Sequence, residues 1–443
     1  MLGILVVVVG LALSIGLHEI GHLLPAKLFG VKVGQYMIGF GPTLWSRTFG
    51  ETEYGLKAVP MGGYISMAGM YPPAKDGSAP ERYSSTGFFQ TLVQDARTAS
   101  AQTVTVGHED RVFYKLAVWK RIVIMLGGPA MNLLIGVVLY AVLLMGFGAQ
   151  QVSTTIGSVS ECVVSQTSSA TTGDGGAEEC ASGDAEAPGA AAGLLPGDKL
   201  VTLDGTAITS WNQATDIIRD SAGDDLTMVV ERDGKDVTLT SVPLLTERYV
   251  YDENGEIVTD SGGSSVTEKV GFLGIGPAYE TVQQPVTAVL PAVGDNIGRV
   301  AHLILNLPER LVDVVNAAFG TEARDPNGPI SVVGVGRLAG EISSIDTIPV
   351  VDKVSGLVGL LASLNIALFV FNLVPLMPLD GGHVAGALWE GIRRFFAKLF
   401  GRKDPGPVDI AKLVPLTLVV VVLLGGMSAL LIYADLVKPI SIL

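Results

Sequence analysis

Four stretches of the chain, residues 2–24, 122–148, 354–379 and 413–434, stay apolar for long enough to cross a bilayer core, which takes about 20 residues in helix. This constrains the fold more than any other feature. Lipid offers no water to satisfy a peptide group, so each stretch has to be a helix. Composition agrees: 48% hydrophobic against 16% charged residues excludes a wholly soluble or disordered chain. The net charge of −14 opposes a phosphate-backbone partner, so no nucleic acid is expected. Two cysteines, Cys162 and Cys180, are too few for a disulfide scaffold or a cysteine-based zinc finger. No Lys or Arg precedes the first stretch and no small-x-small cleavage pattern follows it, so it reads as a helix and not as a signal peptide.

An even number of spans puts both termini on one side. Residues 27–121 carry 11 Lys/Arg, and the short connector 381–410 carries 5, namely Arg393, Arg394, Lys398, Arg402 and Lys403. Residues 151–352 hold only 10 Lys/Arg beside 30 Asp/Glu. The positive-inside rule then assigns the first and third loops to the cytoplasm, and the acidic loop and both termini to the outside.

The outer loop opens with residues 153–192, dominated by Ser, Thr, Gly, Ala, Asp and Glu, a composition too polar to order itself. It is expected to be a mobile insert. Cys162 and Cys180 lie inside it, in a compartment inferred to be oxidising, so a bridge between them is expected. From residue 191 the chain reads Ala-Ala-Gly-Leu-Leu-Pro-Gly-Asp-Lys-Leu-Val-Thr-Leu-Asp-Gly, then Trp211, a helical pattern at 215–219 and strands at 226–232 and 237–242. This resembles a PDZ domain, whose turns need these glycines. A final strand near 272–277 would complete a groove for a peptide end added as a β-strand. The plainer alternative is a steric plug. Residues 285–320 read as one or two amphipathic helices on the outer membrane surface, with Leu303, Ile304, Leu307, Leu311 and Val314 as the apolar stripe.

The first apolar stretch contains His18-Glu19-Ile20-Gly21-His22. Ionisable groups within lipid are costly and functional by default. Positions i and i+4 share a helix face, so the two imidazoles converge on one ion. Glu19, one residue round the helix, reaches a water beside that ion, the arrangement of the His-Glu-x-x-His zinc hydrolases. The bland alternative is a pair of histidines satisfied by polar groups of neighbouring helices.

A catalytic zinc takes three protein ligands. Residues 372–383 read Asn-Leu-Val-Pro-Leu-Met-Pro-Leu-Asp-Gly-Gly-His, and Asp380 is the one acid at the cytoplasmic end of the third stretch. The prolines would break the helix there and free the carboxylate to turn inward. His383 is the competing ligand. His108 falls in a soluble loop and His302 on the opposite side.

His-Glu-x-Gly-His, Phe40-Gly41-Pro42, Gly62-Gly63-Tyr64, Gly127-Gly128-Pro129-Ala130-Met131-Asn132, Gly328-Pro329-Ile330 and Asn-x-x-Pro-x-x-Pro-Leu-Asp-Gly occur in this order over nearly the whole chain. In this it resembles the site-2 protease family of intramembrane zinc metalloproteases, in the bacterial branch with an extracytoplasmic PDZ domain. The resemblance implies one zinc per chain held by His18, His22 and Asp380, with Glu19 as the base. The insert at 153–192 departs from the family pattern, as does the stretch 76–112, to which no role is assigned.

Asn372 is the leading candidate for a donor to developing negative charge or for holding substrate, with Asn365 a weaker one and Asn132 structural. Residues 33–40 and 57–67 alternate as strands. In the family such segments form a membrane re-entrant sheet, so Gly62, Gly63, Tyr64, Ile65, Ser66 and Met67 are expected to be the edge that pairs with unwound substrate. The resemblance further implies single-span membrane substrates already shortened outside, such as anti-sigma factors, in a bacterial plasma membrane. The rival from another class is a catalytically silent membrane scaffold that binds peptide ends.

The expected fold is therefore a multi-span α-helical membrane protein with four transmembrane helices, a membrane-associated β sheet and one extracytoplasmic PDZ domain. Its divisions are helix one at 1–26, a cytoplasmic loop with the sheet at 27–118, helix two at 119–148 and the insert at 149–192. The PDZ domain follows at 193–280, an amphipathic region at 281–352, helix three at 353–380, a loop at 381–411 and helix four at 412–436.

Overall fold

The computed structural model of the protein describes residues 2–73, 88–104, 107, 109–163, 180, 184–250, 258, 265–320, 324–325, 328–346 and 348–440. His108 and residues 164–179 and 181–183 of the polar insert lie outside them.

The chain opens with α1 (Leu2–Leu28), strands β1 (Val33–Phe49) and β2 (Thr52–Met67), α2 (Phe88–Gln102) and α3 (Val118–Ala141), which widens into a π-helical turn at Val142–Phe147. Then come β3 (Ala149–Val159), β4 (Cys162–Val163), β5 (Ala185–Glu186), the single turn α4 (Pro188–Ala191), β6 (Lys199–Leu203), β7 (Thr206–Ala207), α5 (Trp211–Asp220) and β8 (Leu226–Arg232). The hairpin partner β9 (Lys235–Ser241) and strands β10 (Leu244–Tyr249), β11 (Thr267–Phe272) and β12 (Ile275–Val282) complete this part. Six helices close the chain: α6 (Val289–Leu305), α7 (Leu307–Phe319), α8 (Val332–Ser344), α9 (Val350–Leu373), α10 (Asp380–Leu399) and α11 (Val414–Val437). These elements form two compact units, Gly148–Gln283 and the remainder.

In the helical unit, four helices among the described residues are long and apolar enough to cross a membrane: Leu2–Leu28, Val118–Phe147, Val350–Leu373 and Ile410–Val437. Lipid tails are as apolar as leucine, so helices in this setting associate through close packing of small residues. At the crossing of α1 and α3, a Cβ on Gly21 would come within 2.2 Å of the Gly127 carbonyl oxygen, and one on Gly127 within 2.0 Å of that of Gly21. The two backbones therefore touch, and only glycine fits on either side. Leu23, Ala26, Val33, Tyr36, Ile124 and Met125 pack round this crossing and bind the β hairpin to it.

The hairpin β1–β2 is longer than the alternation at 33–40 and 57–67 suggests, and it folds over on itself. Residues 43–49 pair with 52–57, while 35–38 pair with 53–56 on one side and 63–66 on the other. The result is a four-stranded arrangement in which, among the described residues, Gly63–Met67 is bonded along one side only. Tyr36 ties it to α1, its hydroxyl donating to the Gly16 carbonyl at 2.7 Å. Burial, helped by the nearby Glu19 carboxylate, pushes the Tyr36 phenol up to about 12, so it stays a donor.

Two expectations need correction in this unit. The third apolar stretch does not run on to residue 379: α9 ends at Leu373, and Asp380 is the first residue of α10. Pro375 and Pro378 stop the helix, because neither can donate to the ladder. The segment 381–411, expected as a loop, is mostly the amphipathic helix α10, whose charges hid it among connector residues. The unassigned stretch 76–112 contains α2.

The second unit is a six-stranded sheet in the order β12-β3-β6-β8-β9, with β7 paired to β6. Leu200, Leu203, Leu226, Met228, Val230 and Leu273 form its core beneath α5. Asp204 and Gly205 both have positive φ, as do Asp233 and Gly234, the tight-hairpin pattern that Asp-Gly pairs favour. The unit starts at Gly148, not at residue 193. Residues 149–159, expected within a mobile insert, are the long strand β3, which pairs with β12. It reads as loop because it buries just Ser153 and Ile156 among polar neighbours. Cys162 and Cys180 are bridged, with Cα atoms 5.9 Å apart.

Candidate metal centre

His18, Glu19 and His22 lie on the last turns of α1, where the helix packs on α3. The Nε2 atoms of His18 and His22 are 3.1 Å apart, and each is 3.3 Å from Asp380 Oδ2. Among the described residues, no other group of three or more His, Cys, Asp or Glu converges in this way. Tetrahedral bonds of about 2.0–2.1 Å to one zinc put neighbouring donor atoms about 3.3 Å apart, so the triangle has the right edges. Asp380 Oδ2 is shielded from solvent, and among the described residues it faces only the two imidazoles. Two imidazole nitrogens with lone pairs turned toward a carboxylate oxygen repel it unless a cation lies between them.

Each imidazole is held by its other nitrogen. His22 Nδ1 donates to the Ile124 carbonyl at 2.7 Å. His18 Nδ1 meets the side-chain amide of Asn132 at 3.1 Å. The amide nitrogen faces His18 in this structure; with Nε2 on a metal, Nδ1 would carry the proton and the amide would turn to present its oxygen as acceptor. Asn132 is 1% exposed. It was expected to be structural, and its contact with His18 makes it an orienting residue. The available signal was that it is the one amide in the apolar stretch 122–148.

Gly128 is a cradle. A Cβ there would fall 2.2 Å from His22 Nε2 and 2.6 Å from His18 Nε2, where the donors converge. The Gly381-Gly382 pair serves the third donor: a Cβ on Gly381 would strike the Leu373 and Val374 carbonyl oxygens at 2.4 Å. The start of α10 thus folds tightly against the end of α9, which turns Asp380 toward α1.

Glu19 is buried and stands outside the triangle of donors. Its Cγ lies 3.0 Å from where a Cβ of Gly63 would be, so the one-sided strand runs directly past it. Along that strand Tyr64 stacks on Phe40 with ring centres 6.5 Å apart, and its hydroxyl donates to Gln35 Oε1 at 3.3 Å.

The other sequence candidates separate. Asn372 is half-buried near the end of α9, and no hydrogen bond joins it to the three donors among the described residues. Asn365 is fully buried and donates to Ser14 Oγ at 3.0 Å, a bridge between α9 and α1. His383, one turn along α10 from Asp380, is outside the converging group, and its buried Nδ1 has no partner among the described residues. His302 is exposed on α6 beside Asn306.

A second buried contact bears on the site and had no signature in the sequence. Arg121 at the start of α3 pairs with Glu390 on α10, with side chains 3% and 0% exposed. Glu390 also accepts the Val408 N–H at 2.9 Å. Burying such a pair is costly unless every partner is present. It locks α10, and so Asp380, against the helix that orients both histidines.

Comparison with known proteins agrees in extent. The family model for peptidase family M50 matches residues 6–403. The zinc metalloprotease Rip1 of Mycobacterium tuberculosis (strain H37Rv) is 35% identical over 455 residues, covering 99% of this chain and 98% of that protein. Rip1 of Mycolicibacterium smegmatis is 33% identical, covering 100% and 98%. The metalloprotease MmpA of Caulobacter vibrioides is 28% identical over 411 residues, 89% of each chain.

Proposed function

The chain belongs to peptidase family M50, and on that premise we propose that it is an intramembrane zinc endopeptidase acting on the transmembrane segment of single-span membrane proteins. The observation that carries this reading is the triangle of His18, His22 and Asp380, with edges of 3.1–3.3 Å. These three residues would hold one zinc per chain. Zinc in that position supplies Lewis acidity toward a peptide carbonyl and toward water.

Glu19 does the proton work. It takes a proton from the attacking water and delivers it to the leaving amine nitrogen as the C–N bond breaks. Its contact with Gly63 supports the accompanying role for Gly62, Gly63, Tyr64, Ile65, Ser66 and Met67. A substrate helix hides its peptide bonds in its own ladder. Pairing along this one-sided strand holds an unwound segment extended beside Glu19. Asn372 remains the proposed donor to the substrate strand.

The second unit reads as a PDZ domain on the extracytoplasmic side. Its groove of about 250 Å³ between α5 and β11–β12, lined by Trp211, Ile218, Val270, Phe272, Leu273 and Ile275, suits an apolar peptide end. Substrates shortened outside, with anti-sigma factors as the expected type, then receive the second cut of regulated intramembrane proteolysis. Both termini lie outside and the catalytic residues lie toward the cytoplasm, in line with the excess of Lys and Arg in residues 27–121.

The test is Glu19→Gln in purified protein. Zinc measured by mass spectrometry stays near one per chain, while cleavage of a model single-span substrate falls by about 10²–10⁴ or more. Retained cleavage removes Glu19 from its role. Absence of zinc and of cleavage in the unaltered protein favours the silent scaffold.

A further inference from the structure

Beyond the metal site, α10 carries a surface that the catalytic reading does not use. Along its second half Trp389, Ile392, Phe395, Phe396, Leu399 and Phe400 are 47–68% exposed. No soluble helix presents such a row without a partner. On its flank a cleft of about 530 Å³ is lined by Trp389, Phe396 and Phe400 together with Arg393, Arg402 and Lys403. Arg394 is engaged with Glu390 at 3.1 Å. Arg393, Arg402 and Lys403 have no carboxylate partner among the described residues, in a chain whose net charge is −14.

The depth of this surface follows from packing within the helical unit. Asp380 meets His18 and His22, and Glu390, ten residues on, meets Arg121 near the start of α3. Arg121 stands three residues before Ile124, whose carbonyl accepts from His22, so this pair lies on the side of the metal donors toward the start of α3. That is the end of α3 where its membrane-crossing stretch begins, so the aromatic row and the basic cleft fall at the membrane–water boundary. An amphipathic helix with aromatic residues on one face and Arg and Lys beside them is suited to lie in that boundary.

We propose that the α10 cleft binds the phosphodiester headgroup of an anionic phospholipid of the cytoplasmic leaflet, with Arg393, Arg402 and Lys403 facing the phosphate and the aromatic row entering the acyl region. Charge complementarity selects this occupant over a zwitterionic lipid, since each basic residue near an anionic surface is worth roughly fivefold in affinity. Because α10 starts at Asp380, a headgroup holding its far end also steadies the helix that carries a metal donor.

The experiment uses full-length protein in phosphatidylcholine vesicles containing phosphatidylglycerol as roughly a third of the lipid. Bromine is placed on the acyl chains of one lipid or the other. The signal is Trp389 fluorescence, taken as the difference from W389F, and it depends on neither zinc nor cleavage. Brominated phosphatidylglycerol is expected to quench with an apparent preference of about 10-fold or more over brominated phosphatidylcholine. R393Q/R402Q/K403Q brings the two lipids to parity, while R393K/R402K keeps the preference. Equal quenching in the unaltered protein overturns the proposal, as does a preference that survives the triple glutamine variant or is lost in the lysine variant. Abolition of the preference by inorganic phosphate assigns the cleft to a free anion and overturns the lipid.

Discussion

Two carboxylates, one in each unit, separate a structural group from a chemical one. In the sheet unit, Asp198 is 1% exposed, and its two oxygens accept from Arg232 at 2.7 Å each and from the Leu195 N–H at 2.9 Å. All its demands are met by protein. In the helical unit, the Asp380 side chain is 18% exposed, and its shielded Oδ2 faces two imidazole nitrogens with no guanidinium beside it among the described residues. The Arg121–Glu390 and Arg324–Asp435 pairs of the same unit resemble Asp198, not Asp380: each buried acid has its guanidinium. Burial alone therefore does not mark a site. A carboxylate oxygen shielded from solvent that faces two imidazole nitrogens and no guanidinium does.

The largest effect that would break this comparison is expected from Asp380→Ala. Zinc content should fall from about one per chain to background, and cleavage by about 10³ or more, whereas Asp198→Ala leaves zinc unchanged. A zinc-replete Asp380→Ala protein, with metal lost instead in His383→Ala, would transfer the third position to His383. Gly128→Ala should come close behind. A methyl group where both Nε2 atoms converge expels the metal although no ligand is altered, and zinc analysis of the folded variant decides it.

Asp198→Ala acts on the other side of the comparison. Removing the carboxylate that Arg232 and the Leu195 N–H share should lower the exchange protection of amides in residues 148–283, with zinc content unmoved. Asn132→Ala should weaken zinc about 10–100-fold, because His18 loses its orienting partner. Titration against a chelator measures it, and an unchanged affinity would leave Asn132 as packing alone.

The smallest effect is that of pH. Hydrogen bonds from Arg232 hold the Asp198 carboxyl below the usual carboxylate range. A carboxyl with a depressed pKa in the folded state contributes stability that is complete above its unfolded value near 3.9 and fades as pH falls through the folded value. Exchange protection of the sheet unit should therefore be level from neutral pH down to about 4 and decline below it. A decline that begins near pH 6 would remove Asp198 from this role, since residues 148–283 contain no histidine that could titrate there.

How much was legible depended on the distance over which each feature is decided. His18, Glu19 and His22 are set by helical spacing within five residues, and Asp380 stood out as an acid at the end of an apolar stretch. Asn132 acts across 114 positions of sequence, so its amide could not be told from a helix-packing amide before His18 was seen beside it. The strand β3 was hidden by its polar composition, because only two of its residues are buried and its partner β12 lies more than a hundred residues away. The helix α10 was hidden by its charges, one of which, Glu390, proves to be buried against α3.

By itself the sequence determined which stretches can enter lipid, which residues have metal-binding chemistry and how the two histidines share a face, since all three follow from local hydropathy and the 3.6-residue turn. Tertiary structure alone decided that Gly21 and Gly127 bring α1 and α3 into backbone contact, that Gly128 leaves room where the donors meet, and that the start of α10 turns Asp380 to them. The reason is steric and electrostatic. Three atoms about 3 Å apart on helices remote in sequence are brought together by close packing, and no local pattern encodes a distance between segments that meet only on folding.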